Sequence, residues 1–465
     1  MSDRTKNIIQ RFFMVILALG FFFGLGKNGY ILDGDTASYV NFNFSREPLY
    51  PIFLWIFRST FGENRYFTVV WIFQGLFAAF TTCFLTDFLA REFKLKTGLR
   101  YLILLLTFVP YIFDLIGYFP LYLRTNYILT EGISYTLYYW FIYFLLCLLW
   151  KQRKRDIVGA GVLAFLLNML RSQMLIVYAM LGLVIVYLLI RKNKKIALQT
   201  LVVVFVSFLF FSSGKKWYTY ETSGSVDGNY MNQLTMLSNM LFYSDEDAWK
   251  YYTEEDLQIF YQQTYQLMVE EKANYQFYQG ILETGDAVHE YHDEIKYNLL
   301  AEVLEEYRHY EGAFAPLEGK YVVLKNKDLM KALLMPLWKN NRGHWIYGAI
   351  CQLPKGFMRS VFISSNSLIA VCILYCLLVY ALAIWMAVRG MVHGKWEKSA
   401  TLMLCVLLLI AMNVGGIALT IFAVKRYMTY NTGLFYISLI LCLKQYKEWK
   451  LSERQGADDT GNSVQ

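Results

Sequence analysis

Apolar runs of membrane-spanning length recur along this chain and constrain its fold more than any other feature. A helix needs about 17–25 mainly apolar residues to cross the hydrocarbon core. Ten segments near that length can be drawn, at 8–26, 66–90, 101–118, 127–150, 156–171, 174–190, 196–212, 361–388, 399–423 and 427–443. The chain is 56% hydrophobic, 18% aromatic and only 17% charged, too apolar for an ordinary soluble protein. The expectation is an all-α polytopic membrane protein of about ten transmembrane helices.

Net charge is +8, but Lys and Arg fall in short clusters between apolar runs, the pattern that orients spans. The clusters around Arg91 and Lys94, Lys151 and Arg153, Arg191 and Lys194, Arg389 and Lys398, and Lys444 and Lys447 share one side when ten spans are counted. That side is read as the cytoplasm, with both termini on it and no nucleic-acid partner. Arg4, Lys6 and Arg11 precede an apolar stretch from Phe12 to Gly26 with no Ala-x-Ala-like site, so an uncleaved first span is expected. The chain then divides into an N-terminal transmembrane module (1–212), an extracytoplasmic domain between spans seven and eight (213–360), a C-terminal transmembrane module (361–446) and a cytoplasmic tail (447–465). The polar stretch from Ser452 to Gln465 reads as disordered.

The inserted domain holds most of the acidic residues and four of the five histidines. Thr253 to Asp256 resembles a capping box, followed at helical spacing by Leu257, Phe260, Tyr261, Tyr265 and Met268. A second helix is expected from Asp286 to Tyr310, with Val288, Tyr291, Ile295, Leu299 and Val303 on one stripe. The domain therefore reads as mainly helical, and 329–360 as amphipathic surface helices returning to the bilayer. His289 and His292 share a helix face, and on a charged helix they read as solvated rather than metal-binding. Six of the seven cysteines lie in expected spans and only Cys351 lies outside, which leaves no disulfide framework or metal-type spacing.

Charges inside a bilayer are costly, so their depth is informative. Asp87 and Asp156 sit at cytoplasmic ends, whereas Asp114, Glu131, Arg171, Lys425 and Arg426 sit at outer ends. None lies near a span's midpoint, which counts against an ion-coupled transporter. The charges gather instead at the depth of the first outer loop, 27–65, and its acidic, aromatic and proline-rich stretch DGDTASYVNFNFSREPLYP from Asp33 to Pro51.

Asp33-Gly34-Asp35, the run DTASY from Asp35 to Tyr39 and the run REPLYP from Arg46 to Pro51 resemble the first outer loop of GT-C integral-membrane glycosyltransferases. That superfamily includes protein O-mannosyltransferases and the aminoarabinose transferases of lipid A. The resemblance covers roughly the first 60 residues. Leu129 to Glu131, Arg171, and Arg426 with Tyr427 resemble shorter features of the same superfamily, while the inserted domain matches no pattern in it. The resemblance implies an active site at the acidic pair, with Asp35 as general base and Asp33 as second acid or metal ligand. It leaves a divalent cation possible, held by Asp33 and Asp35 if by any residues.

The chemistry of the residues agrees with a lipid-linked donor. Arg46, Arg171, Arg426 and Arg124 are suited to hold a polyprenyl phosphate by forked hydrogen bonds, and a nearby carboxylate can take the proton of an attacking hydroxyl. Tyr39, Glu131 and Tyr427 are further site candidates. The bland readings are helix capping for Asp35 and Glu131 and interfacial snorkelling for the arginines. The expected function is transfer of a sugar from a polyprenyl-phosphate donor to a glycan, lipid or protein acceptor on the outer face of the cytoplasmic membrane. Two alternatives stand beside it: a polysaccharide polymerase or ligase using a lipid diphosphate, and a non-catalytic lipid-linked-glycan flippase or assembly scaffold.

Overall fold

No water reaches backbone N–H and C=O groups in hydrocarbon, so apolar runs of spanning length close their hydrogen bonds internally and become helices. The computed structural model describes residues 3–112, 123–224, 231–300, 314–316, 322–324, 327–361, 368–394 and 397–461, and they are helical almost throughout. The helices of the first half are α1 (Asp3–Leu19, continued by a π-turn over Gly20–Leu25), α2 (Thr36–Val40), α3 (Leu49–Phe61), α4 (Tyr66–Glu92), α5 (Thr97–Phe108), α6 (Glu131–Lys151), α7 (Lys154–Leu170), α8 (Leu175–Ile190) and α9 (Lys194–Ser223). Those that follow are α10 (Met231–Phe242), α11 (Glu255–Glu270), α12 (Gly280–Glu294), α13 (Lys327–Asn340), α14 (Arg342–Val361), α15 (Ile369–His393), α16 (Glu397–Thr420), α17 (Lys425–Met428) and α18 (Thr432–Gly461). One short antiparallel ribbon pairs β1 (Phe314–Pro316) with β2 (Val322–Leu324), so the inserted domain is not purely helical.

Among the described residues, seven helices are long and apolar enough to cross a membrane: Thr5–Leu25, Tyr66–Glu92, Glu131–Lys151, Ser172–Ile190, Lys194–Ser223, Ile369–Val392 and Glu397–Thr420. The other three expected spans differ for separate reasons. Thr97–Tyr111 is a shorter apolar helix, α7 is 17 residues long, and α18 turns polar after its first apolar turns. The last third of 101–118, with Asp114, lies outside the described residues. Large apolar side chains face outward, with Ile190 73%, Phe210 66% and Leu377 64% exposed. In water each forgoes about 1.5–3 kcal/mol of burial, and lipid removes that cost.

The bundle closes through α4, α6, α7 and α9 in one series and α14, α15, α16 and α18 in another, with α8 on α16 and α5 on α18 joining them. Close approaches need glycine: a Cβ on Gly433 of α18 would stand 2.2 Å from the Leu106 carbonyl oxygen of α5. At one end the basic loops meet. Glu92 takes both Lys151 and Lys398, Asp87 takes Arg11 at 3.1 Å, and Arg191 meets Glu397 at 2.7 Å. The opposite end carries the first loop and, above it, the inserted domain, which we call the cap.

Several expected boundaries move. Helix α9 runs to Ser223, eleven residues past the expected membrane exit, and α18 continues helical to Gly461 through the stretch read as disordered. In the cap, α11 buries Leu257, Phe260, Tyr261, Tyr265 and Met268 on one face, as the spacing predicts. Helix α12 starts at Gly280 and ends in a π-turn over Ile295–Leu299, and the expected continuation through Val303 lies outside the described residues. His292 is buried at 3% exposure with Nδ1 3.0 Å from Ser238 Oγ, which corrects its reading as a solvated side chain. The 329–360 stretch forms α13 and α14, and α14 is packed between α12 and α16 rather than lying free on a surface.

Candidate functional site

The first loop is stitched to the segment that precedes α6. Ile31 N–H donates to Asn126 O at 2.8 Å and Ile128 N–H to Ile31 O at 3.0 Å, a parallel bridge across a long stretch of sequence. Asn126 Nδ2 donates to Gly26 O at 2.8 Å and Gly29 O at 2.5 Å, and the positive φ of Gly29, 78°, allows that turn. Thr36 Oγ1 donates to Ile128 O at 3.3 Å and accepts from Asp33 N–H at 2.9 Å. These bonds fix the short helix α2, with Asp35 at its N-terminal boundary.

Around Asp35 three chain segments converge. Arg46 Nη2 donates to Asp35 Oδ1 at 2.5 Å, its Nε donates to Ser38 Oγ at 2.7 Å, and its guanidinium lies 4.8 Å over the Tyr39 ring. From α17, Arg426 Nη1 stands 3.6 Å from Asp35 Oδ2. Beneath this layer, Arg171 at the end of α7 pairs with Glu131 at the start of α6 at 2.7 Å and reaches Thr130 Oγ1 at 3.3 Å. The Tyr427 ring joins the two layers, with the guanidinium carbons of Arg171 and Arg426 each 5.1 Å from its centroid. Arg124, buried under Tyr135 at 5.5 Å, adds its charge to those acting on Glu131. Burial pushes the Tyr39 phenol upward, against the pull of Arg46.

Exposure separates the two layers. Arg171 and Glu131 are 11% and 5% exposed, whereas Arg46, Asp35 and Arg426 are 27%, 32% and 38% exposed. The upper layer is partly exposed and the lower one is a buried ion pair. Asp33 stands apart: it is exposed, and its Oδ1 accepts the Asp35 N–H at 3.4 Å within its own turn. A divalent cation held by Asp33 and Asp35 would stand beside two guanidiniums that repel it, so these residues do not fit a cation site. Among the described residues no group of three or more His, Cys, Asp or Glu side chains is placed to hold a metal ion.

The sequence reading did not include the uncharged residues that aim this cluster. Tyr135 Oη donates to Arg426 O at 2.8 Å, and Asn413 Nδ2 and Gln173 Nε2 each donate to Tyr427 O at 2.8 Å. Tyr50 Oη donates to Gln74 Oε1 at 3.1 Å, and Gln74 Nε2 donates to Thr125 O at 3.0 Å and Tyr127 O at 3.1 Å. Gly132 leaves room for that Gln, since a Cβ there would meet it at 2.6 Å. Lys215, high on α9, closes the loop's far side by pairing with Glu47 at 2.6 Å. From the cap, α14 grips the segment before α17: Gln352 Oε1 accepts Ala423 N–H at 3.0 Å while its Nε2 donates to Gly285 O at 3.0 Å.

Counted together, Arg46, Arg171, Arg426 and Arg124 outnumber Asp35 and Glu131, which leaves the cluster cationic. A cationic, partly exposed cluster of forked donors beside a carboxylate is suited to an oxyanion ligand and to proton removal next to it. Compared with protein-family models, curated proteins and solved structures, the chain matches none.

Proposed function

We propose that the chain is a multi-pass enzyme of the cytoplasmic membrane that transfers a sugar from a polyprenyl-phosphate donor to an acceptor on the outer face. The observation that carries this reading is the convergence of Arg46 and Arg426, from segments far apart in sequence, on the two oxygens of Asp35. In this reading there are ten spans, the basic-loop end is cytoplasmic, and the cap is extracytoplasmic. The GT-C-like residues of the first loop support the same assignment.

The donor phosphate takes the two guanidiniums, displacing Arg426 first because its contact with Asp35 is the longer one. Asp35, so released, accepts the proton of an acceptor hydroxyl as that oxygen forms its bond to the anomeric carbon. The bond from that carbon to the phosphate oxygen breaks, and the electron pair leaves with the lipid phosphate, whose growing charge the arginines meet. Attack opposite the leaving group inverts the anomeric centre. Glu131 and Arg171 hold the floor, and Tyr427 spaces the guanidiniums.

The positive excess also suits a diphosphate, so a lipid-diphosphate donor is the second reading. Purified protein in nanodiscs, offered a sugar on polyprenyl monophosphate or on polyprenyl diphosphate, separates them. Turnover with the monophosphate is expected. Turnover with the diphosphate alone would replace the first reading by the second, and turnover with neither donor in any acceptor mixture would count against both.

A further inference from the structure

Helix α9 runs on past its apolar stretch, and its last turns hold the loop that carries Arg46. From Lys194 to Lys215 the helix rises about 32 Å at about 1.5 Å per residue, just past the ~30 Å of hydrocarbon that a span crosses. When α9 crosses a bilayer, the next turn therefore stands at the depth of lipid head groups. Trp217 and Tyr220 face outward there, 60% and 54% exposed, the residue types an interface favours. Lys215 and Tyr218, three residues apart and so on one face of the helix, turn inward to the loop.

Their contacts fall on either side of Arg46. Lys215 Nζ donates to Glu47 Oε1 at 2.6 Å, and Glu47 is 9% exposed in its side chain. Among the described residues Glu47 Oε2 is buried with no hydrogen-bond partner, so the carboxylate depends on that one pair. Tyr218, 3% exposed, donates its hydroxyl to Asn43 O at 3.3 Å, and the same carbonyl accepts the Arg46 N–H at 3.0 Å. Phe42, at a φ of 52° that a bulky side chain rarely adopts, sets its ring 6.5 Å from that of Tyr218. Helix α9 is itself seated on α7: a Cβ on Gly214 would stand 3.0 Å from Met169 Cε, two residues before Arg171.

We propose that Lys215 and Tyr218 are positioning residues that brace the Arg46 backbone at head-group depth, so that its guanidinium meets the donor phosphate already aimed. The inference rests on the phosphate reading of the Asp35 cluster. In the unliganded protein Asp35 and Ser38 hold the Arg46 side chain. Once a phosphate draws the guanidinium off Asp35, the hold that remains on the backbone is the brace, and loose positioning of a charged donor is costly.

The test titrates farnesyl phosphate into the full chain in nanodiscs by calorimetry, with empty nanodiscs subtracted and thermal melting as the check on folding. Lys215→Met should weaken binding about 10-fold and Tyr218→Phe about 3-fold, whereas Lys215→Arg should keep most of the affinity. A residue that acts through Arg46 has nothing to aim once Arg46 is gone. Lys215→Met combined with Arg46→Ala should therefore bind within about 2-fold of Arg46→Ala alone. Tyr218→Phe, which removes only a hydroxyl, carries the same cycle if Lys215→Met does not fold.

Wild-type affinity in Lys215→Met and Tyr218→Phe alongside a loss in Arg46→Ala would overturn the brace and leave the proposed function standing. So would full additivity in the cycle, which would make the role of α9 structural. Wild type that does not bind farnesyl phosphate, or Arg46→Ala that binds it as wild type does, would sink the phosphate reading of Arg46 and this inference with it.

Discussion

Asp35 and Glu131 carry similar charges in different surroundings, and the difference assigns their parts. Glu131 and Arg171 are nearly enclosed, so each depends on the other to offset its desolvation. Glu131→Gln leaves the Arg171 guanidinium buried without its counter-charge and should lower stability by about 3–5 kcal/mol. Denaturant or thermal unfolding in detergent reads this directly, and a loss under about 1 kcal/mol would show the pair to be better hydrated than its burial implies. Arg171→Ala should suffer in the same way, so lost donor use in that variant cannot be separated from lost folding. Arg46 and Arg426 are the cleaner probes, being more exposed and aimed at Asp35. The charged members of this cluster were legible in sequence because ionisable residues stand out in apolar surroundings. Tyr135, Gln173, Gln74 and Asn413 were not, because an uncharged polar side chain barely disturbs the hydropathy of a span. Asp33 was legible as half of an acidic pair, yet its carboxylate serves its own turn.

Among the elements, α14 couples the cap to the cationic site. Gln352 satisfies the Ala423 N–H and the Gly285 carbonyl in one stroke, and Ala423 stands three residues before Arg426. Gln352→Leu keeps the volume and orphans both buried backbone groups, a cost of about 1–3 kcal/mol for each. Melting should fall accordingly, and donor affinity should fall further than in a control of equal instability such as Gly433→Ala, which strains α18 against α5 away from the site. Equal donor affinity in the two variants would separate α14 from the positioning of Arg426. Helix existence was well encoded: the stripe of α11 is buried residue for residue. Helix ends were not. Hydropathy marks where a chain leaves lipid, whereas α9 continues through Lys, Tyr, Thr and Glu residues that tolerate a helix in water, and α18 does the same through Glu, Arg and Gln. The burial of His292 was hidden for another reason: its partner Ser238 belongs to α10, which sequence spacing along α12 does not reveal.

At the scale of the whole molecule, the basic loops gather at one end and the Asp35 cluster and cap at the other. If the bundle crosses the membrane ten times, these ends face opposite compartments. Single cysteines at Glu255 in the cap and Lys192 in a basic loop test this in intact cells, with Cys351 replaced; it is buried and contributes little background. Impermeant reagent should label position 255 and spare position 192, and the reverse pattern would invert the proposed topology. The sequence reading put the site residues at one expected depth but could not make them touch, since Asp35, Arg46 and Arg426 meet only through the packing of α17 against the bundle and the stitching of the first loop. The central claim is that Asp35 acts as the base at that meeting point. It is tested most directly by sugar transfer from a synthetic polyprenyl-phosphate donor, using purified wild type and Asp35→Asn in nanodiscs with matched melting. The account predicts a fall in turnover of about 10²–10⁴-fold with donor affinity largely kept, as for a lost general base. Near-normal turnover by a well-folded Asp35→Asn protein would contradict it and leave Asp35 as no more than a partner for two arginines.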